Sequence, residues 1–255
     1  MLGQAVVKLE HVRKSYGSNE VLKDISLEVD SGQVVAIIGP SGGGKSTLLR
    51  CATLLERFDA GSLAYGSLQV AHDAGGKAVY AGKAQLHEAR QKFGLVFQNF
   101  NLFPHYTVLK NIMDAPICVQ KRDKAAVEAE ARELIERIGL AGNEQKVPCE
   151  LSGGQQQRVG IARALAMKPD ILYFDEPTSA LDPELTQEVL KVIRGLAEQR
   201  MTMVIVTHEM TFARDVADHI VFMDGGVIVE TGPAEQVIEN PQHGRTKAFL
   251  RKIAD

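Results

Sequence analysis

The sequence predicts an α/β fold: a parallel-sheet core interrupted by a helical insertion. Three observations carry this expectation. Continuous apolar runs at Val34–Ile38 and Ile171–Phe174 suit strands buried on both faces of a parallel sheet. Helical patterns alternate with such runs early and late in the chain, the rhythm of strand–helix–strand units. From Asn99 to Pro148 that rhythm gives way to helices.

Ala5–Val12 alternates loosely, and a polar turn follows at Gly17-Ser18-Asn19. Ile25, Leu27 and Val29 alternate with Ser26, Glu28 and Asp30, as a half-buried strand does. After Ser31-Gly32 come the run Val34–Ile38, a glycine-rich loop and an apolar helix over Lys45–Leu55. Residues 61–82, rich in glycine and small side chains, read as strands and loops. Ala84–Phe93 reads as a helix and Gly94–Phe97 as a strand. In the insertion, Thr107–Val119 and Asp123–Ile138 suit helices, the second with Val127, Ala131, Leu134, Ile135 and Ile138 along one face. Asp123 can cap that helix and Gly139 can stop it. A helix over Gln155–Met167 ends before Pro169. Strand Ile171–Phe174, helix Pro183–Gln199, strand Thr202–Thr207 and helix Met210–Val216 follow. Strands Ile220–Met223 and Val227–Glu230 share a Gly225-Gly226 turn, and helical patterns cover 233–239 and 244–254. The expected division is a core of residues 1–98 and 158–255 around a helical unit of residues 99–157.

Composition narrows the function. The 255 residues are 45% hydrophobic and 24% charged, which excludes a disordered chain. Lys and Arg number 29 against 32 Asp and Glu, so the chain is no generic basic sleeve for nucleic acid, and no nucleic-acid partner is expected. Cys51, Cys118 and Cys149 are far apart and odd in number, which argues against a disulfide framework or a zinc cluster. Reduced thiols in a cytosolic protein are expected. No apolar run approaches the ~18 residues of a spanning helix, and Met1–Ala5 lacks the basic and apolar regions of a signal peptide.

The chemistry sits in a few short stretches. Gly39-Pro40-Ser41-Gly42-Gly43-Gly44-Lys45-Ser46-Thr47 fits G-x-x-x-x-G-K-[ST], between a buried strand and an apolar helix. Glycines let backbone N–H groups close around phosphate oxygens, and the helix N-terminus adds partial positive charge. Lys45 can reach the β and γ phosphates of a nucleoside triphosphate, and the Ser46 hydroxyl can ligate Mg²⁺. Ile171–Glu176 is a buried strand ending in two carboxylates: Asp175 suits the metal and Glu176 the attacking water. As neighbours on a strand they are expected to point to opposite sides. Ser152-Gly153-Gly154-Gln155 opens a helix and reads either as a plain N-cap or as a second anion site. On the second reading one chain carries two phosphate-binding elements, only one of them with a lysine.

These stretches, in this order, resemble the ATP-binding cassette (ABC) ATPases over nearly the whole chain, and so imply the RecA-like P-loop NTPase form of the predicted fold, with N-terminal antiparallel β strands and a helical insertion subdomain. Gly39–Thr47 resembles the Walker A loop, Leu151–Gln155 the signature motif and Ile171–Glu176 the Walker B strand with its catalytic glutamate. Gln98 stands at the Q-loop position, Ser179-Ala180-Leu181-Asp182 resembles the D-loop, and His208 the switch histidine. Tyr16 falls where an aromatic stacks on adenine, with Val21 as a further contact. A narrower resemblance, to the polar amino-acid uptake ATPases of bacteria, lies in Asn101–His105, Thr107–Asn111, Val206–Met210, Asn240–His243 and Arg245–Leu250. Cys149-Glu150 and Glu56–Gly61 depart from that narrower pattern.

The resemblance implies a mechanism with ATP and Mg²⁺. Two such chains, expected to be copies of one another, would pack head to tail, each nucleotide held between one chain's Walker A loop and the other's Ser152–Gln155 and Asp182. Lys45, Glu176, His208 and Gln98 would serve catalysis; Ser46, Asp175 and Gln98 would serve the metal. Closure on ATP would drive membrane permease subunits, fed by an external solute-binding protein. The helical unit would dock the permease near Phe100, Phe103 and His105. The protein would be soluble alone and peripheral at the cytoplasmic face of the membrane in place. Competing readings are an importer subunit for a different small solute, a soluble ABC ATPase of DNA repair or translation, and a P-loop kinase. The coiled-coil insertion or second cassette usual in the soluble class is missing, and the signature motif with His208 argues against a kinase.

Overall fold

The chain starts as a long antiparallel ribbon, because β-branched and apolar residues alternate on both sides of a tight glycine turn. The computed structural model describes residues 5–254, so the signal-peptide reading of Met1–Gln4 lies outside the described residues. Strand β1 (Ala5–Tyr16) pairs with β2 (Asn19–Asp30). Then come β3 (Val34–Ile38), α1 (Lys45–Ala52), β4 (Ala60–Tyr65), β5 (Leu68–Asp73), β6 (Ala78–Tyr80), α2 (Lys83–Ala89) and β7 (Phe93–Val96). Helices α3 (Val108–Cys118) and α4 (Lys124–Arg137) fill the insertion, and α5 (Gly153–Ala166) leads back to β8 (Ile171–Asp175). The rest is α6 (Pro183–Glu198), β9 (Met203–Val206), α7 (Met210–Val216), β10 (His219–Asp224), β11 (Val227–Pro233), α8 (Ala234–Glu239) and α9 (Gly244–Ala254).

Two sheets form. The first, in the order β2-β1-β4-β5-β6, is antiparallel. The second, β11-β10-β3-β9-β8-β7, is parallel except for β11 at its edge. All five residues of β3 and all five of β8 are buried, as continuous apolar runs require. Val35, Ile37, Ile171 and Tyr173 face a core shared with α1 and the antiparallel sheet. Val34, Leu172, Phe174 and Ile205 face α5 and α6 on the other side. A separate cluster, with Ile112, Ile135 and Val159 at 0% exposure, joins α3, α4 and α5. Between the two sheets Tyr65 of β4 donates its hydroxyl hydrogen bond to the Ala52 carbonyl at 3.0 Å. It also meets the Tyr173 hydroxyl of β8 at 2.8 Å.

Several elements depart from the sequence reading. The helix expected over Ala84–Phe93 ends at Ala89, and Phe93 opens β7, because its ring stacks on Tyr65 and meets Tyr173 edge-on in the core. Helix α1 stops at Ala52 rather than Leu55, since Leu54 takes a left-handed φ of 56°. Strand β1 runs on to Tyr16, and Asn19 starts β2 instead of closing the turn. Helix α5 begins two residues early, at Gly153, because the Ser152 hydroxyl and Gln155 carboxamide cap its first turn reciprocally. Asp123 does cap α4, accepting from the Ala126 N–H at 2.9 Å, and Gly139 takes a φ of 70°.

Candidate functional site

Parallel strands deliver their C-terminal ends to one edge of the sheet, where ligands of open α/β sheets bind. Three loops meet there: Gly39–Gly44 after β3, Glu176 after β8, and Thr207-His208 after β9. The first loop needs its glycines. Gly39 has a φ of 144°, and a Cβ there would meet the Met223 carbonyl oxygen at 2.0 Å. Gly44 caps α1 with a φ of 97°, its missing Cβ 3.0 Å from the Val21 carbonyl oxygen. Pro40, Ser41, Gly42 and Gly43 arch between them, closed by a Gly43 N–H to Pro40 carbonyl bond of 3.1 Å.

Lys45, only 5% exposed, folds back over this arch and donates to the Gly39 carbonyl at 2.8 Å and the Pro40 carbonyl at 2.9 Å. Burial lowers its pKa, while the nearby Glu176 and Asp175 carboxylates oppose that shift. Ser46, next on α1, donates its hydroxyl to Asp175 Oδ1 at 2.8 Å. Asp175 is 8% exposed, and its burial raises its pKa against the pull of Ser46, Arg50 and Lys45. Thr47 follows in the first turn of α1, beside the Tyr16 phenol.

Glu176 and His208 meet across two strand ends: Glu176 Oε1 lies 2.9 Å from His208 Nε2. The geometry that achieves this is not the strand alternation expected. Glu176 lies beyond β8 with a left-handed φ of 48°, its N–H still bound to the Val206 carbonyl at 3.0 Å. The reversal, not the pleat, separates its direction from that of Asp175. The Glu176 carbonyl accepts from the Ser179 hydroxyl at 3.0 Å, which ties the 179–182 loop to the same strand end.

The remaining expected residues lie around this centre without joining it. Gln98 is exposed just beyond β7. Tyr16 is 45% exposed at the end of β1, with Lys14 Nζ 4.9 Å from its ring centroid. Val21 is half-buried on β2. Ser152 and Gln155 spend their side chains on the cap, at 3.2 and 3.0 Å. Gly153 packs on Leu181 and Phe100, and Gly154 on Leu185. Asp182 caps α6 by accepting from the Leu185 N–H at 2.9 Å.

The sequence reading missed three supports. Gln157, fully buried on α5, donates to the Phe97 carbonyl at 3.1 Å, and Arg163 donates to the Asn101 carbonyl at 2.8 Å. Both hold the segment that carries Gln98 and Phe100 against α5. Asn111, 1% exposed, binds Phe103 N–H and the carbonyls of Phe103, Tyr106 and Thr107, which presents Phe103 at 49% exposure. An asparagine inside an apolar helical pattern was the available signal for the last.

Comparison with known proteins agrees with this arrangement. The L-cystine transport system ATP-binding protein TcyN of Escherichia coli is 52% identical over 98% of this chain and 98% of its own length. The arginine transport ATP-binding protein ArgV of Corynebacterium glutamicum is 51% identical over 99% and 100%. Among solved structures, the dimeric post-hydrolysis state of the ATP-binding cassette MJ0796 bound to ADP and Pi matches with a TM-score of 0.77. It is 32% identical and covers 89% of this chain and 98% of that one. The sequence profile for ABC transporter matches residues 22–179, more than half of the 255 residues, and the chain belongs to the ABC transporter family.

Proposed function

We propose that this ABC ATPase is the energising subunit of an importer that carries a polar amino acid through a membrane permease. One observation carries the reading: identity of 51–52% to two amino-acid transport subunits runs over 98% or more of the chain, far past the 22–179 core. In this reading Lys45 turns from the Gly39 and Pro40 carbonyls to the β and γ phosphates of ATP, within the N–H groups of Gly39–Thr47. Tyr16 stacks on the adenine with Val21 beside it.

Mg²⁺ fits the oxygen donors present. The Ser46 hydroxyl and the buried Asp175 carboxylate already converge at 2.8 Å. No cluster of three or more His, Cys, Asp or Glu suited to a metal occurs among the described residues. Mg²⁺ needs none, because it keeps phosphates and waters as ligands. Gln98 is a further candidate ligand. When bound, the ion neutralises charge on the phosphoryl group. Glu176 takes the proton of the attacking water, and His208 holds the γ-phosphate with the nitrogen that now meets Glu176. Ser152–Gln155 and Asp182 serve the nucleotide of a second copy.

The core (1–98 and 158–255) and the helical unit (99–157) divide these tasks, with the permease seated near Phe100, Phe103 and His105. Helix α5 passes unbroken through residues 157 and 158. We place the protein at the cytoplasmic face of a membrane, held there by the permease, which an external solute-binding protein supplies. Among the described residues no helix is long and apolar enough to cross a membrane.

The test is uptake of labelled cystine and arginine into proteoliposomes holding this chain, its permease and its binding protein. ATP-dependent uptake that stops with Glu176→Gln is expected. ATP hydrolysis that moves neither these nor any other polar amino acid would overturn the substrate class.

A further inference from the structure

The C-terminal segment takes no part in the chemistry above, yet a short chain of contacts ties it to the nucleotide loop. Glu230 on β11 accepts the Gln242 N–H at 2.6 Å and the His243 N–H at 3.0 Å, which fixes the approach to α9. Phe249 of α9 packs on Phe222 of β10 with ring centroids 5.1 Å apart. Between these anchors Arg245 Nη2 reaches Asp224 Oδ2 at 2.6 Å. Asp224 is the last residue of β10, and the Gly225-Gly226 turn follows it.

The end of β10 and that turn together wall the loop. The Met223 carbonyl oxygen would lie 2.0 Å from a Cβ on Gly39 and 3.1 Å from one on Gly43. The Asp224 Cα would lie 3.7 Å from the Cβ on Gly43. Gly226 N–H donates to the Gly43 carbonyl at 3.3 Å, while its own carbonyl accepts from the Lys23 N–H at 2.8 Å. An N–H array binds phosphate well only when it is held in shape beforehand.

We propose that Arg245 is a positioning residue for ATP binding: by holding Asp224 it keeps the end of β10 and the turn after it pressed on Gly39 and Gly43. The C-terminal helix thereby sets how well the loop fits phosphates. The inference rests on Gly39–Thr47 being the ATP site.

The test is equilibrium binding of a fluorescent ATP analogue with Mg²⁺ to the full chain, well below each variant's Tm. The pair is half-exposed, so Arg245→Ala and Asp224→Asn should each weaken binding about two- to fivefold. Arg245→Lys and the exchange Asp224→Arg with Arg245→Asp should return it to within about twofold of the parent. In turnover, KM for ATP should rise while kcat stays within about twofold. Added salt should erode the parent's affinity more than that of Arg245→Ala. Parental affinity in Arg245→Ala overturns the proposal, even if its Tm falls. So does a fall in kcat with KM unchanged. If the parent itself fails to bind the analogue, the ATP-site reading falls and takes this inference with it.

Discussion

Tyr65 and Tyr173 offer a prediction whose size follows from who donates to whom. Tyr65 gives its proton to the Ala52 carbonyl at the end of α1, so the 2.8 Å contact with Tyr173 must use the Tyr173 proton. Both rings are buried, at 3% and 1% exposure. Tyr173→Phe removes one neutral hydrogen bond and leaves Tyr65 paired, a loss of about 1 kcal/mol. Tyr65→Phe strands the Tyr173 hydroxyl and the Ala52 carbonyl in the core, about 2–3 kcal/mol. For a chain of this size each kcal/mol moves Tm by roughly 2–4 °C. Tyr65→Phe should thus lower Tm by about 4–12 °C and Tyr173→Phe by about 2–4 °C. The double variant should cost less than the sum, since it no longer strands a phenol. Denaturant melts of all four proteins read this cycle. Equal single costs or strict additivity would refute the donor order.

Three further outcomes are expected. Burial raises the Asp175 pKa above its unfolded value, so the folded chain takes up that proton more readily. Its charged form therefore costs stability, a cost that grows as pH rises through the Asp range and is absent below it. Asp175→Asn should raise the nucleotide-free Tm at pH 7, lose that gain near pH 3 and abolish ATPase activity; an unchanged Tm at pH 7 would contradict it. Glu176→Gln keeps a hydrogen bond to His208 but no base, so ATP should bind, turnover should fall by about 10²–10⁴, and ATP-dependent dimers should accumulate on size exclusion. Parental turnover there would remove Glu176 from the chemistry. Mixing Lys45→Ala with Ser152→Arg places both lesions in one shared site and leaves the other intact, so light scattering should show ATP-dependent dimers that neither variant forms alone; their absence would argue against shared sites.

The legible parts of the fold and site are those written in local chemistry. Glycine spacing in Gly39–Gly44, the doubly buried runs of β3 and β8, and the caps Asp123 and Ser152 each state their reason within a few residues. Contacts that depend on strand order were not legible. Nothing local says that Glu176 reverses its backbone at 48°, or that its carboxylate meets His208. Phe93 fits a helical pattern and a strand equally well, and only the rings of Tyr65 and Tyr173 decide it. The Gly225-Gly226 turn was plain in the sequence, but its place against the Gly39–Gly44 loop follows from β10 pairing with β3. Gln98 is legible by position alone, since its side chain stands exposed.

The stapling of residues 97–101 to α5 has a kinetic meaning. A free surface loop of that length would wander on nanosecond times. Gln157 and Arg163 grip it at both ends, at Phe97 and Asn101, and Phe100 lies against Gly153 between them. The segment is therefore expected to show little of that independent motion. It travels when the whole rod of α5 travels, on the microsecond-to-millisecond clock of packed helices. Arg163 also lies over the Phe103 ring, 5.9 Å from its centroid, so the exposed aromatic and the Ser152 cap sit on one and the same helix.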